Sequence, residues 1–405
     1  MNFPLFLARR VIFKGQRTFS KLIVRVTIGA LALAIFAIVL SVAILRGFKG
    51  EITAKQRGFF SDIIVTRADV NQTENSPIAL SEAHIQEILK IPNVESVSPF
   101  ATKVGIMNVE GEVEGVLLKG IEHQYDQHYL SRTLVQGDTL HFGSDNADNQ
   151  LLVSHFLAER LNLTVGESFI MSFVQDNRSR KRKFVVQGIF RTNAEELDRN
   201  YVIGSLQLIR RLNNLDDKDA GAYEIRVKNF DNLAETTRAV NEILPQNVHA
   251  TNIVDQLPDI FNWLKMLDMN DDIIFGLMVI VAVINMISSL LITILERTSM
   301  IGMLKALGML NRDLRKVFLY NSLYLIGYGL LLGNIVTFIL YFLQAKTHFF
   351  KLDPAIYYIE YVPVSIDMTT VLLLNLSVVV ISLLTLFIPS MLITRISPIK
   401  TIQFK

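Results

Sequence analysis

Side chains that commonly carry catalysis or bind metals are scattered along this sequence of 405 residues. The seven histidines have no cysteine to join them, and the closest pair, His123 and His128, lacks the i, i+4 spacing that would put both on one helix face. The acidic pair Asp216-Asp217 stands in polar sequence, where solvation is the usual state of a carboxylate. We therefore predict no catalytic site and no metal site.

The sequence also lacks an energy source of its own. It contains no Gly-x-x-x-x-Gly-Lys-Ser/Thr loop, whose backbone N–H groups would cradle nucleotide phosphates. Its four long apolar stretches contain no Asp, Glu, Lys or His, the groups that ion-coupled carriers place inside a membrane. Any work that the chain performs must therefore be driven by another protein.

Those four apolar stretches, residues 26–45, 273–295, 317–345 and 368–394, predict membrane-spanning helices. Each is at least about as long as the roughly 20 residues that a helix needs to cross the hydrocarbon. The first follows a basic leader, as a cleaved signal peptide does. Its apolar core is too long for a signal peptide, however, and no small-x-small cleavage site follows Leu45, so we predict an uncleaved helix.

The distribution of charge predicts the orientation of the chain. Lysines and arginines precede the first span, follow the last, and lie between the second and third. Residues 46–272 instead hold 24 Lys and Arg against 33 Asp and Glu, a net charge of −9. By the positive-inside rule, both termini and residues 296–316 are cytoplasmic and the large domain is outside. The acidic balance of that domain argues against a nucleic-acid partner.

The region between the first two spans predicts an α+β domain, because short β-branched runs alternate with helical stretches. The clearest signal is a hairpin formed by residues 103–109 and 113–121. The predicted fold class is an α-helical membrane protein with four transmembrane helices, arranged 1+3, and a large α+β extracytoplasmic domain inserted between helices 1 and 2. Residues 47–271 make up this domain, with subdomains of about 47–149 and 150–254 and a stalk helix over 255–271.

The remaining boundaries follow from the same patterns. Transmembrane helices are predicted over 22–46, 272–295, 317–345 and 368–394, with an external loop over 346–367 and a cytoplasmic tail over 395–405. In residues 1–21, apolar and aromatic side chains interleave with Arg and Lys. This pattern favours a helix lying in the inner-leaflet interface over a merely solvated basic leader.

A short cytoplasmic helix is predicted within residues 296–316, and we call residues 296–308 the coupling segment. Ile301, Leu304 and Leu307 recur at helical spacing, Gly308 can end the helix, and Asn311 can cap the next one. A short helix with such an apolar ridge cannot bury the ridge by itself. We therefore expect a protein partner to cover it.

The coupling segment closely resembles the signature of FtsX-like and MacB-like ABC permeases. The residues that carry the resemblance are Glu296-Arg297-Thr298, Ile301-Gly302, the run Leu304-Lys305-Ala306-Leu307-Gly308, and Arg312-Asp313. The tail motif over 395–400 and Val165-Gly166-Glu167 support it, and the 1+3 topology extends it to nearly the whole chain. By its length and its lack of an ATPase domain, the chain looks most like the LolC and LolE permease subunits of lipoprotein-releasing transporters.

The resemblance implies partners and residue roles. In this family the segment docks on a separate cytoplasmic ABC ATPase, which binds ATP and Mg, so no cofactor is expected on the chain itself. The other implied partners are a second permease copy or a sister permease, a lipoprotein substrate, a periplasmic lipoprotein chaperone and membrane lipids. The implied location is a bacterial inner membrane. The implied coupling residues are Glu296, Arg297, Ile301, Gly302, Leu304, Lys305, Leu307 and Gly308.

Two further sets of residues are candidates for contact with carrier and cargo. Where lipoprotein-releasing permeases have a protruding hairpin for the chaperone, this sequence has a short basic segment, for which a solvated turn is the equal alternative. Contacts made by it would be electrostatic, through Arg178, Arg180, Lys181, Arg182 and Lys183. Acyl chains of a cargo would enter an apolar cleft formed by Leu33, Phe36, Leu40, Ile280, Ile284 and Ile287, which are otherwise ordinary lipid-facing or packing residues.

Three functions fit these patterns, and none of them makes the chain an enzyme. The first is release of lipoproteins from the outer leaflet of the inner membrane to a periplasmic carrier by mechanotransmission. The second is MacB-like efflux of toxins or small molecules. The third is FtsX-like signalling that activates a cell-wall hydrolase. The resemblance leaves both the choice among them and the choice between homodimer and heterodimer open.

Overall fold

The computed structural model describes residues 18–67, 77–123, 125, 128–143, 147–175, 178–192, 194–353, 357 and 359–396. Most of the predicted interfacial helix over 1–21, and most of the tail over 395–405, lie outside these residues. The chain divides into two compact units. The helical unit comprises residues 1–49, 263–351 and 361–405, and the inserted domain comprises residues 50–262 and 352–360.

The regular elements alternate between helix and strand through the inserted domain and are helical elsewhere. The described helices are α1 Thr18–Phe60, α2 Glu82–Leu89, α3 His128–Thr133, α4 His155–Arg160, α5 Glu195–Asn200, α6 Leu206–Asn213, α7 Leu233–Ile243, α8 Ile253–Gln256, α9 Pro258–Glu296, α10 Thr298–Ala306, α11 Asn311–Thr347, α12 Met368–Ser390 and α13 Leu392–Arg395. The described strands are β1 Ile63–Arg67, β2 Val94–Val109, β3 Glu112–Ile121, β4 Leu134–Gly137, β5 Gln150–Ser154, β6 Ser168–Gln175, β7 Arg178–Phe190, β8 Tyr201–Ser205, β9 Ala222–Val227 and β10 Val248–Asn252.

Four helices among the described residues, α1, α9, α11 and the α12 region, are long and apolar enough to cross a membrane. This finding confirms the predicted fold class of four apolar helices in a 1+3 arrangement with a domain after the first. The first two of these helices extend beyond the predicted spans. Helix α1 continues to Phe60, and α9 passes without a break from Pro258 to Glu296, so the predicted stalk and second span form one element. Helix α12 ends just after Pro389, which has no N–H to donate.

Small and amide side chains bring the long helices of the helical unit together. A Cβ on Gly329 would lie 2.6 Å from the Leu31 side chain, and one on Gly333 would lie 2.7 Å from the Ala32 carbonyl oxygen. Helix α11 therefore approaches α1 closely only because these positions lack a side chain. Asn334 and Asn375 exchange two side-chain hydrogen bonds of 3.0 and 3.2 Å, which join α11 to α12.

The inserted domain is built on one long strand that belongs to two sheets. The first half of β2 pairs with β9, which continues through β1 to β10, and all these pairings are antiparallel. The second half of β2 pairs with β3 and β6, in the sheet that also holds β8, β5, β7 and β4. The predicted hairpin is present, and Glu110 and Gly111 form its turn with positive φ angles of 49° and 97°.

Two of the core clusters in the inserted domain contradict the predicted division near residue 150. One core combines both ends of the domain, including Ile63, Ile225 and Ala250. The other lies in the middle of the sequence and includes Leu118 and Phe184. The middle part is thus inserted into the outer part, because β2 leads from one sheet to the other and the chain returns at β9. Local sequence patterns identify strands but do not show which distant strands pair.

A buried ion pair holds the last turn of α1 against the sheets of the inserted domain. The Lys119 ammonium donates hydrogen bonds to the Phe59 carbonyl at 2.6 Å and to the Glu224 carboxylate at 2.7 Å. Both charged side chains are buried, and desolvation lowers the pKa of Lys119 while Glu224 opposes that shift. Since a cation is favourable at a helix C-terminus, Lys119 fixes the end of α1 to β3 and β9.

Candidate functional site

The coupling segment follows α9 with a joint of one residue. Glu296 ends α9, and Arg297 alone separates it from α10. The Arg297 N–H donates to the Thr293 carbonyl at 3.2 Å, and the Arg297 carbonyl accepts from the Ile301 N–H at 2.9 Å. Backbone hydrogen bonds therefore continue through the joint between α9 and α10.

Gly308 ends the coupling helix, as the sequence predicts. Its φ is +91°, its N–H donates to the Lys305 carbonyl at 3.0 Å, and the Met309 N–H donates to the Leu304 carbonyl at 3.0 Å. This pair of bonds is the Schellman arrangement, which favours glycine in the left-handed conformation. The expected cap at Asn311 is wrong, because Leu310 is the N-cap residue and α11 already begins at Asn311.

The predicted apolar ridge of the coupling segment turns inward. Ile301 is 0% exposed, Gly302 is buried, and Leu304 packs against the core of the helical unit. The expectation that a partner must cover Ile301 is therefore wrong, and Leu304 is half-buried by the chain itself. At 3.6 residues per turn, Leu307 lies about 120° around the helix from Ile301, with Leu304 between them, so Ile301 can be buried while Leu307 is exposed.

A different apolar surface is left open, and we call Met303, Leu307 and Leu310 the exposed crest. Their exposed fractions are 59%, 78% and 68%. Sequence reasoning missed Met303 and Leu310. The signal for Met303 was its four-residue spacing from Leu307, which places the two side chains on one side of the helix, about 110° around the axis from the midpoint of Ile301 and Leu304.

Lys305, a predicted coupling residue, holds the C-terminal end of the last helix. Its ammonium donates to the carbonyl oxygens of Ile393 at 2.6 Å, Ile396 at 2.9 Å and Thr394 at 3.4 Å. These carbonyls lie at the negative end of α13, where a lysine is favourable. Desolvation lowers the pKa of Lys305 below its ordinary value. Lys305 therefore joins the coupling segment to the start of the tail.

The basic segment near residue 180 forms the outer part of the β6–β7 hairpin. Register pairs run from Ser168 with Val185 to Gln175 with Arg178, whereas β6 pairs with β2 only over 170–172, so the hairpin continues beyond its neighbour. The described cations Arg180, Lys181, Arg182 and Lys183 are exposed. The turn residues 176–177 and the side chain of Arg178 lie outside the described part.

The two faces of this hairpin differ. Arg180 stands opposite the buried Phe173 and donates to the Leu212 carbonyl at 3.4 Å. On the other face, Lys183 stands opposite the exposed Ile170. The exposed face of the hairpin thus carries the apolar side chain of Ile170 beside the cation of Lys183, whereas the sequence predicted a surface for electrostatic contact alone.

The cleft candidates are divided between exposed and half-buried positions. Leu33, Ile280 and Ile284 are exposed on the helical unit, and Phe36, Leu40 and Ile287 are half-buried. Away from these positions, α1 and α9 are bridged by polar and aromatic contacts. Ser41 donates to Asp271 at 2.9 Å, Lys49 lies 2.7 Å from Asp268, and the rings of Phe48 and Trp263 are 5.6 Å apart.

Within the described residues, no three His, Cys, Asp or Glu side chains form a group that could hold a metal ion.

Two family models match the chain. The model described as MacB-like periplasmic core domain matches residues 26–243, and the model described as FtsX-like permease C-terminal matches residues 273–398. The first match covers more than half of the sequence and contains most of the inserted domain. The second contains the coupling segment and the helices around it.

Curated relatives match over almost their entire length. The chain is 22% identical to the lipoprotein-releasing system transmembrane protein LolC of Neisseria meningitidis serogroup B, over 97% of this chain and 96% of that protein. It is 21% identical to LolC of Xylella fastidiosa over the same shares. It is 18% identical to the lipoprotein-releasing system transmembrane protein LolE of Haemophilus influenzae, over 100% of both chains.

Two solved structures match about half of the chain each. The periplasmic region of MacB from Actinobacillus actinomycetemcomitans has a TM-score of 0.37 and 15% identity, covering 51% of this chain and 95% of that chain. The extracellular domain of the noncanonic ABC-type transporter YknZ from Gram-positive bacteria has a TM-score of 0.32 and 15% identity, covering 47% of this chain and 98% of that chain.

Proposed function

Because the chain belongs to the family of ABC transporter permeases with a MacB-like periplasmic core domain and an FtsX-like permease region, we propose that it releases lipoproteins from a membrane. The observation that carries the proposal is the full-length match to LolC and LolE proteins, which are named for lipoprotein release. The match includes the helical unit, the coupling segment and the inserted domain together. The chain acts as a non-catalytic subunit.

The energy comes from a separate ABC ATPase that binds ATP and Mg and docks on the exposed crest. Three exposed apolar side chains in and just after a nine-residue helix offer the kind of surface that a groove on another protein covers. The exposed crest is supported by residues that do not belong to it. Glu296 and Arg297 form the joint, and Gly302 lies on the buried side of α10. Ile301, Leu304 and Lys305 hold the segment on its own helices.

Movement then passes from the coupling segment to the outside. ATP binding draws two ATPases together, and the one-residue joint at Arg297 transmits the displacement into α9, which is continuous from Glu296 to Pro258. In this proposal the coupling segment and both termini are cytoplasmic, the inserted domain is periplasmic, and the membrane is the bacterial inner membrane.

The cargo is held in the membrane by its acyl chains, which need apolar surface and no charged site. The exposed Leu33, Ile280 and Ile284 supply such surface on α1 and α9. A second copy of the chain or a sister permease completes the cleft. The exposed face of the β6–β7 hairpin, with Lys181 and Lys183, receives a periplasmic lipoprotein chaperone.

A second function, efflux of small molecules or toxins, is favoured by the MacB-like model over residues 26–243. The two functions differ in the fate of endogenous lipoproteins.

Depletion of the chain in its host tests the proposal. Outer-membrane lipoproteins are expected to remain in the inner-membrane fraction of a density gradient and to return to the outer membrane when the chain is supplied again. Normal delivery of lipoproteins would reject the proposal. In that case, increased sensitivity of the depleted cells to toxic compounds would indicate that the chain serves efflux. Depleted cells that fail to separate would indicate that the chain normally activates a cell-wall hydrolase.

A further inference from the structure

The inserted domain contains a cavity of about 390 Å³. None of its lining residues belongs to the coupling segment, to the β6–β7 hairpin or to the candidates for the membrane cleft. Its walls come from the last turns of α1, from β2 and β3, from the α5–β8 region, and from Leu257 and the start of α9. The volume lies within the range of about 300–1,000 Å³ that is typical of small-molecule sites.

The walls of the cavity are mainly apolar. Phe60, Leu117, Leu197, Leu257 and Ile260 line it, together with the ring of Tyr201. The rings of Phe60 and Tyr201 meet edge to face at 6.1 Å, and the ring of Phe59 packs on Tyr201 from behind at 4.9 Å. An aromatic corner of this kind keeps its shape better than a wall of aliphatic side chains would.

The polar groups of the cavity are few and carry no positive charge. Among the described residues that line it, these groups are the side chains of Gln56, Glu196 and Asn200 and the hydroxyl of Tyr201, and Glu196 is the charged one. A carboxylate with no lysine or arginine beside it in the lining repels a phosphate or a free carboxylate. The cavity therefore suits an apolar chain whose polar end is neutral, such as an ester or an amide.

One wall position has no side chain. Gly115 lies on β3 opposite Ile106, and a Cβ built on it would meet no atom within 4 Å. Its backbone is extended strand, which any residue adopts, so the free space does not reflect a conformational need for glycine. A large side chain at this position enters the cavity without displacing its walls.

From this cavity we infer a second cargo site, in which the inserted domain binds one aliphatic chain of a lipid-anchored molecule through a neutral ester or amide end. The inference rests on the proposed function and adds a binding step outside the membrane cleft. Gln56 and Phe60 belong to α1, and Ile260 belongs to α9. Helix α1, which ends in the wall, and helix α9, which begins there, both contain candidate spans.

Photo-crosslinking of the full chain in lipid nanodiscs tests the site. The probes are a triacylated lipopeptide and phosphatidylglycerol, each with a diazirine near the end of one acyl chain. We expect the lipopeptide to leave adducts within 56–60, 115–117, 197–201 and 257–260. Gly115→Trp, which fills the cavity, is expected to lower their yield by roughly tenfold, the factor equivalent to about 1.4 kcal/mol.

Val113→Trp is the matched control, because Val113 is exposed on the same face of the same strand and does not line the cavity. It is expected to keep the wild-type yield. The inference would be overturned if the lipopeptide left no adducts at the cavity residues, or if Gly115→Trp did not lower their yield. Equal labelling by phosphatidylglycerol would also overturn it, since the site would then accept any membrane lipid. The proposed function has a separate test: normal lipoprotein delivery after depletion of the chain would reject it, whichever probe is crosslinked in the cavity.

Discussion

Leu307 and Ile301 have opposite surroundings although they belong to one short helical segment. Ile301 is enclosed by the chain's own helices, and Leu307 projects away from them. Burial of a leucine by a partner contributes about 1.5–3 kcal/mol, whereas nothing is gained by presenting a residue that is already buried. The two positions therefore separate docking from folding.

We predict that Leu307→Asp lowers the affinity of the full chain for its ATPase by about 10-fold or more, because each 1.4 kcal/mol corresponds to a factor of ten. The measurement is a binding titration in detergent. Leu307→Met keeps an apolar side chain and is expected to bind like the wild type. Leu304→Asp is expected to lower the melting temperature first, since Leu304 packs in the helical core. Equal affinities for Leu307→Asp and Leu307→Met would remove the crest from the docking surface.

Lys305 allows a second test at the scale of a single side chain. Lys305→Met removes the charged donor from three carbonyl groups at the end of α13, at a cost of about 1–3 kcal/mol. We expect faster hydrogen exchange of the backbone amides over 392–396, measured by mass spectrometry. Lys305→Arg, which keeps a cation, is expected to restore much of the protection. Unchanged exchange in Lys305→Met would show that the tail is held by other contacts.

At the scale of elements, α11 presents two glycine faces with different surroundings. Gly333 lies against α1, and a Cβ at Gly327 would meet no atom within 4 Å. Gly333→Leu is expected to destabilise the helical unit by about 1–3 kcal/mol through overpacking. Gly327→Leu is the control and is expected to leave the thermal stability of the solubilised chain unchanged. A larger loss from Gly327→Leu would contradict the packing of α11 on α1.

The β6–β7 hairpin is expected to bind its carrier partly through charge. Lys181→Glu should weaken binding of the host's periplasmic lipoprotein chaperone by about 2- to 5-fold at low salt, as reversal of an exposed charge does. Added salt should reduce the difference between variant and wild type. Lys90→Glu, an equal change at an exposed lysine that ends α2, is the control. A Lys181→Glu variant that binds like Lys90→Glu would exclude the hairpin as the contact.

Local patterns in the sequence were sufficient for elements that depend on local interactions. The apolar spans, the turn at Glu110-Gly111 and the end of the coupling helix at Gly308 follow from length and from residue preferences, and the structure contains all three. The sequence did not show which side of α10 is buried by the chain itself. Apolar residues have the same helical spacing whether they pack on their own core or on a partner protein. The division of the inserted domain did not follow either, since it depends on the pairing of β2 with β9 across more than a hundred residues.

At the scale of the whole molecule, the chain joins features that serve one process. The side chains of the exposed crest are not buried by any of the described residues, and α9 is a single helix. The helical unit also carries exposed apolar side chains, into which the acyl chains of a cargo can partition. The sequence contains no Gly-x-x-x-x-Gly-Lys-Ser/Thr loop, and its four apolar stretches contain no Asp, Glu, Lys or His. The proposed transmission of movement from a partner ATPase to a lipid-anchored cargo would account for these features together.

ATP-dependent release in a reconstituted system tests this claim most directly. The full chain, its ATPase and its second permease subunit are placed in proteoliposomes that contain a labelled triacylated lipoprotein, and the soluble carrier is added outside. We predict that label moves to the carrier only with hydrolysable ATP, and that it does so with Leu307→Met and not with Leu307→Asp. Label that stays in the membrane with the wild-type chain, or that leaves equally well with Leu307→Asp, would contradict the account.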